Sequence, residues 1–395
     1  MRVLGIPRAL AHSVEGFRGC FSSAQFAHFQ AYLLGLMLGR EGRNIQDIAA
    51  MYPKGCNQAT LNHFVAEATW SAEAVWESLR QQVRLFLRRT GTRQVWLSVD
   101  DTVSAKPYGR RMEGAGYHYS TSAKRPVWGH DLVAAIVSAG KWAFAWDARM
   151  YQGRRQCRGA FRSKVQMAQD FIRGFVASPP MRVTVLGDAW YFQHRVVAAA
   201  QQRGFDWIFG CKRNRRIRHA GGVVSVSQLA KRLPPDQFRR ITIHGRQFVV
   251  ASRVVDIPKI GPVQVVLYME VRAESGRIRR NRLRCIATNR CDWTPRTALA
   301  GYMQRQRIEE FFKDAKLHLG LGEYQMRKAQ GIQRHWLLVA CAHAVLLLLN
   351  RKKTRRTIGQ TLLRLEDLTQ EAAMKWSHRQ GSRGIRWSSP LCRVA

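Results

Sequence analysis

The chain has 395 residues, 46% of them hydrophobic, and sets 65 Lys and Arg against 26 Asp and Glu, a formal charge of +39. A globular protein that basic repels itself unless a polyanion neutralises it, and nucleic acid is the polyanion whose phosphates Lys and Arg neutralise with release of counterions. The eight cysteines are scattered and contain no C-x-x-C pair, which argues against a zinc site and suits a reducing cytosol.

In chain order, the start MRVLGIPRALAHS lacks the apolar core of a signal peptide. Residues 1–92 read as a helical region. FSSAQFAHFQAYLLGLML has a Ser cap and helical spacing of apolar residues, and NIQDIAAMY and NQATLNHFVAEATW flank a turn at Pro53-Lys54-Gly55. That arrangement suits a helix-turn-helix DNA reader or a plain helical bundle. An amphipathic helix over residues 72–89 closes the region.

The pattern then changes to α/β. Residues 93–99 form a β-rich run ending at Asp100-Asp101-Thr102, followed by a polar, glycine-containing stretch through Gly116 that includes Lys106. This stretch reads as a DNA contact or a flexible loop, and its spacing is not that of a phosphate-binding P-loop. LVAAIVSA and KWAFAWDARM read as paired strands. Arg154, Arg155, Arg158 and Arg162 interleave with glycine and aromatic residues, as suits guanidinium groups that fork onto phosphates. A helix over 166–176, a strand over 181–188 ending in Asp188, a helix over 190–202 and the strand FDWIFGCK complete an alternating α/β stretch over 93–216. Residues 217–292 are mostly strand-like, a β-rich insertion. Helices resume over 293–350 and include the apolar run 336–349, too short for a membrane span and read as a core helix with His343 as a core histidine. Residues 351–395 open with RKKTRR and read as a mobile basic tail.

Carboxylates at the ends of neighbouring strands can converge on a cation, although an Asp after a strand is more often a turn residue. GYMQRQRIEEFFKDAK is more specific. Advancing about 100° per residue from Tyr302 puts Arg305 near ~300°, Glu309 near ~340° and Lys316 near ~320°, on one narrow face, with Glu310 apart near ~80°. A carboxylate flanked by a guanidinium, a phenol and an ammonium is suited to holding a metal with phosphate clamps around it.

Tyr302, Arg305, Glu309 and Lys316 match the Y-x2-R-x3-E-x6-K signature of the DDE transposases of bacterial insertion sequences. With DDT at 100–102, Lys106, GDAWY at 187–191 and KRNRR at 212–216, the chain resembles that family over residues 20–350. The resemblance implies an RNase H-like core carrying a helical N-terminal domain and a β-rich insertion before the catalytic Glu helix. Its metal ligands would be Asp188, Glu309 and either Asp100 or Asp101, which strand alternation puts on opposite faces, with Asp100 preferred. They would bind two Mg²⁺, with Mn²⁺ as a substitute. Tyr302, Arg305 and Lys316 would act beside them, and Lys106, Lys212, Arg213, Arg215, Arg216, Arg305 and Lys316 would contact DNA. One departure is Gln306, where many members carry Trp. The implied function is cut-and-paste transposition on double-stranded DNA by a chain that dimerises to pair two ends, in the bacterial cytoplasm at the nucleoid and not at a membrane. The alternatives are a metal-dependent endonuclease without joining activity and an inactivated DNA-binding relative.

Overall fold

The computed structural model describes residues 3, 6–40, 42–52, 56–157, 159–219, 221–271, 280–350 and 356–381. The Pro53-Lys54-Gly55 turn and Arg158 lie outside these residues.

Among the described residues, α1 (Arg8–Val14), α2 (Ser23–Leu38), α3 (Ile45–Ala50), α4 (Gln58–Ala66) and α5 (Ala72–Arg89) open the chain. Polar side chains fix their starts. Ser22 with Gln25 and Asn57 with Thr60 form reciprocal capping boxes on α2 and α4, while Asn44 and Ser71 cap α3 and α5. α2 buries Phe29, Tyr32, Leu33, Leu34 and Leu36, so it is apolar nearly all round and must be enclosed. The enclosing partner comes from the far end of the chain: a helix over Ala329–Leu349, α11 below, packs against α1, α2, α4 and α5.

The centre is a mixed sheet. β1 (Gln94–Ala105), β3 (Arg125–Ala139) and β4 (Trp142–Tyr151) form an antiparallel meander, with the short β2 (Gly116–Ser120) on the outer end of β3. After α6 (Lys164–Arg173), β5 (Arg182–Gly187) runs parallel to β1. After α7 (His194–Gln202), β6 (Asp206–Gly210) runs parallel to β5. The resulting order β4-β3-β1-β5-β6 is consistent with the RNase H-like core that the resemblance implies.

The β-rich stretch contributes β7 (Arg216–His219), β8 (Gly222–Ser225), α8 (Val226–Arg232), β9 (Arg239–Ile243), β10 (Arg246–Ile257) and β11 (Gly261–Glu270). It returns through β12 (Arg284–Thr288), which pairs antiparallel with β6, so the twelve strands among the described residues form one continuous sheet. Then come α9 (Pro295–Met303), α10 (Gln306–His318), α11 and α12 (Ile358–Gly381). α10 and α11 cover one face of the meander and α6 the other.

Three expectations are corrected. β1 does not stop at the aspartates but runs on to Ala105, because β3 is long enough to pair with it up to Gly129. The helix expected to be continuous through Tyr302 and Lys316 is broken at Gln304-Arg305, where N–H groups bond back three residues instead of four and tighten the chain into a 3₁₀-like turn. Residues 358–381, expected in a mobile tail, are helical and bury Leu365 and Thr369, whereas 351–355 and 382–395 lie outside the described residues. The apolar run 336–349 belongs to a longer helix. By length and composition α11 could cross a membrane, but most of it is buried in the fold. Two of its buried polar side chains bond to the surrounding helices and loops: Arg334 donates to the carbonyls of Val65 and Trp70, and His335 bridges the Tyr32 hydroxyl and the Gly320 carbonyl at 2.9 Å each. His343 is buried, edge-on to Phe311.

Candidate active site

β1 and β5 pair in parallel up to Val99 and Gly187, so the next residues on the two chains are Asp100 and Asp188. Asp188 ends its strand and caps the following turn, its Oδ1 accepting from the backbone N–H groups of Trp190 (2.8 Å) and Tyr191 (3.1 Å). Asp100 accepts from the N–H of Asp101 at 2.9 Å and pairs with Arg305 at 3.0 Å. The other arm of the Arg305 guanidinium bonds Glu309, one helical turn further along α10. One guanidinium thus ties a strand carboxylate to a helix carboxylate.

Burial pushes the Asp100 carboxyl up to about 7; Arg305 opposes that rise, and Asp188 and Asp101 add to it. Burial acts to lower the Arg305 pKa, but Tyr302, Asp100, Glu309 and Asp188 outweigh it and the net shift is upward. The cluster therefore concentrates negative charge in a half-buried place and holds the Arg305 guanidinium against it. Burial also raises the Tyr302 phenol, to about 12, so it stays protonated. Its hydroxyl is accommodated by Gly210 at the end of β6, where an added Cβ would lie 2.9 Å from it. Lys316 donates to the Thr102 hydroxyl (2.7 Å) and the Val103 carbonyl (3.1 Å), and burial lowers its pKa. Across the break before α10, Tyr302 stays beside Arg305, whose guanidinium carbon lies 6.0 Å from the centre of its ring, while Arg305 and Lys316 reach β1 at Asp100 and Thr102. Glu310 turns elsewhere and pairs with Arg307 at 2.6 Å.

The second aspartate of the pair goes to the opposite face. Asp101 bonds Lys164 (2.6 Å) and the Tyr191 hydroxyl (2.9 Å), and Lys164 also reaches Asp131 at 2.5 Å. Burial raises the Asp131 carboxyl to about 6, and His118 lies 3.5 Å from it. Sequence reading missed Lys164, Asp131, His118 and Tyr191 as site neighbours. The one legible signal was Ser163-x-x-Gln166, a capping box that puts Lys164 in the first turn of a helix.

The basic residues divide. Lys212 and Arg216 are exposed, as are Arg154, Arg155 and Arg162. Arg213 and Arg215 are half-buried and bond the carbonyls of Asn281 and Phe192, which joins the β-rich stretch to the core. Lys106 turns inward: it donates to the carbonyls of Gly322 and Tyr324 and sits over the Tyr324 ring, and burial lowers its pKa to about 8.

The donor set fits a hard divalent cation. It consists of carboxylate oxygens, one of them strongly destabilised as an anion by burial, and the guanidinium between Asp100 and Glu309 already marks where positive charge is favoured. Among the described residues no three acidic, His or Cys side chains come close enough together to hold a metal ion, and Arg305 stands between Asp100 and Glu309. A family described as DDE superfamily endonuclease matches residues 16–242, and one described as transposase DDE domain matches residues 157–345. No curated protein matches the chain.

Proposed function

This chain belongs to the DDE superfamily of endonucleases and transposases, and we propose that it is a cut-and-paste DNA transposase acting on terminal inverted repeats. Members of this superfamily generally use divalent metal ions and act on DNA. The observation that carries the reading is the Asp100–Arg305–Glu309 link beside Asp188, in a chain of charge +39.

Asp100, Asp188 and Glu309 are the residues that would hold the cations, two Mg²⁺ with Mn²⁺ as a substitute. Bound there, such a pair supplies Lewis-acid activation of the attacking oxygen and stabilisation of the leaving one. With the carboxylates holding cations, Arg305 would be free to turn its fork to a phosphate beside the scissile bond. Lys316 offers its ammonium on the same face. Tyr302 stays protonated and positions an oxygen by donation, so it is not a nucleophile. Water forms the first P–O bond and the 3′-oxygen of the transposon end leaves. That 3′-OH then attacks a target phosphate and displaces the target 3′-oxygen, with no covalent enzyme–DNA intermediate. The exposed Lys212 and Arg216 and the N-terminal helices contact DNA, and two copies pair the two ends in the bacterial cytoplasm.

The test is a strand-transfer assay with linear DNA ending in the repeats that flank the gene. The expected result is metal-dependent 3′-end cleavage followed by joined product. Cleavage without joining would replace transposase with endonuclease. Binding without cleavage in either metal would leave only a DNA-binding relative. A salt titration should give a log–log affinity slope of about −0.9 per phosphate neutralised, and a slope near zero would remove DNA as partner.

A further inference from the structure

The glycine-containing stretch after the aspartate pair leads into an edge strand with an unusual surface. In β2 the side chains alternate strictly: His118 and Ser120 are buried, while Tyr117 and Tyr119 are 64% and 65% exposed. Tyr117 lies opposite Trp128 on β3, with their rings edge-to-face at 5.3 Å, and Tyr119 lies opposite Pro126. The guanidinium of Arg110 covers the Trp128 ring at 5.0 Å. Lys124 and Arg125 at the hairpin tip are exposed. The nearby acid, Glu113, is engaged with the N–H of Ala329 at the start of α11. The hairpin thus shows water a ribbon of aromatic rings bordered by cations.

Its placement follows from the register. Asp100 pairs with Ala134 of β3, and Trp128 is six residues earlier, so the two share a face of the sheet. At about 3.3 Å per residue the aromatic ribbon lies roughly 20 Å from Asp100 along that face. Two side chains two residues apart in a strand are about 7 Å apart, and stacked bases repeat at about 3.4 Å, so one base fits between the two tyrosine rings.

We propose that the β2–β3 hairpin is a platform for unpaired DNA nucleotides next to the cleavage site. Tyr117 and Tyr119 stack bases, and Arg110, Lys124 and Arg125 take the adjoining phosphates. Intact duplex hides its base faces, so it would use the cations and leave the rings idle. A second copy of the chain would bring the same positive border against this one and be repelled. The inference rests on the transposase reading only for the choice of DNA over RNA.

The test uses the full chain, a short oligothymidine containing one 2-aminopurine, a matching oligouridine and a blunt duplex. The expected result is quenching of the 2-aminopurine on binding. The Tyr117→Ala/Tyr119→Ala double variant should bind oligothymidine about tenfold or more weaker at fixed salt, with duplex binding nearly unchanged. The Tyr117→Phe/Tyr119→Phe double variant keeps the rings and should bind like the parent. Equal binding of oligothymidine by the Ala variant overturns the proposal, as does a loss confined to oligouridine. A tyrosine-dependent dimer without nucleic acid likewise overturns it in favour of a second copy. No cleavage step is needed, so a failed strand-transfer assay with a positive stacking result would sink the transposase reading and leave the platform standing.

Discussion

Asp100 and Asp101 are neighbours on one strand, and the two sides of that strand treat a half-buried carboxylate differently. On the Asp100 side the compensating charge is a guanidinium shared with Glu309, whose side chain is 54% exposed, and next to it Asp188 accepts from the backbone N–H groups of Trp190 and Tyr191. On the Asp101 side a lysine bonds two carboxylates at once, and the tyrosine that caps Asp101 is itself buried. On the proposed reading the first arrangement exchanges its guanidinium for metal. The second is closed and reads as structure. Chemical identity therefore says little about which acid works. What separates them is whether the partner can leave without stranding a charge.

The largest effect expected from this contrast is on catalysis. Asp100→Asn, Asp188→Ala and Glu309→Gln should each lower metal-dependent end cleavage by at least about 10³-fold, the equivalent of several kcal/mol of lost electrostatic stabilisation. DNA binding should survive each change, because the basic surface remains. Asp101→Asn should stay within about tenfold of the parent. A dead Asp101→Asn beside an active Asp100→Asn would reverse the comparison.

Next in size is a stability effect on the closed side. Lys164→Met removes from Asp101 and Asp131 the one lysine or arginine that pairs with them among the described residues, and should cost about 3–5 kcal/mol in urea unfolding, as stranded buried charges do. Adding Asp131→Asn to Lys164→Met should recover part of that loss. An unchanged unfolding midpoint for Lys164→Met would mean that the closed side is not held by this pair.

A smaller effect comes from His118, which belongs to the same closed cluster. Burial, with Lys164 and His130 adding to it and Asp101 opposing, depresses its pKa to about 4. Its ring packs edge-on to Tyr151 and faces Asp131. The folded value lies below the unfolded one near 6.5, so the unfolded chain takes up the proton first as pH falls. Stability from this group is complete above pH 6.5 and is lost as pH drops toward 4. His118→Gln should flatten that acid limb by on the order of 1 kcal/mol. An unflattened limb would show that the histidine does not sense this burial.

Much of this was legible in the sequence, and the parts that were not share a cause. Alternation separated Asp100 from Asp101, and helical spacing kept Arg305, Glu309 and Lys316 together, because both rules are local. The break at Gln304-Arg305 was invisible, since neither residue is a helix breaker and the turn is set by how α9 and α10 meet the sheet. The reach of β1 to Ala105 depends on pairing with a strand more than twenty residues later. Lys164 needed the third dimension entirely, 63 residues from Asp101 in the chain and 2.6 Å away in space. Lys106 misled for the opposite reason: a lysine in a polar stretch reads as exposed, but the carbonyls that receive it lie beyond residue 320.

The smallest expected effect gives the sharpest discrimination. Glu310 has the same chemistry as Glu309 and follows it in sequence, but about 100° of helix rotation separates them. The structure pairs Glu309 with Arg305, which also holds Asp100, and pairs Glu310 with Arg307. The Glu310 pair is a partly exposed i,i+3 bridge, the kind worth about 0.3–0.5 kcal/mol. Glu310→Gln should therefore shift stability by no more than that and change cleavage by less than about threefold. Arg307 keeps a solvated position, so no buried charge is stranded. The measurement is a parallel cleavage series with Mg²⁺ and Mn²⁺ on one DNA end, with Glu309→Gln as the inactive reference. If Glu310→Gln is dead while Glu309→Gln cuts, then α10 is turned by about one residue from the register described, and Arg305 would be bridging the wrong carboxylate.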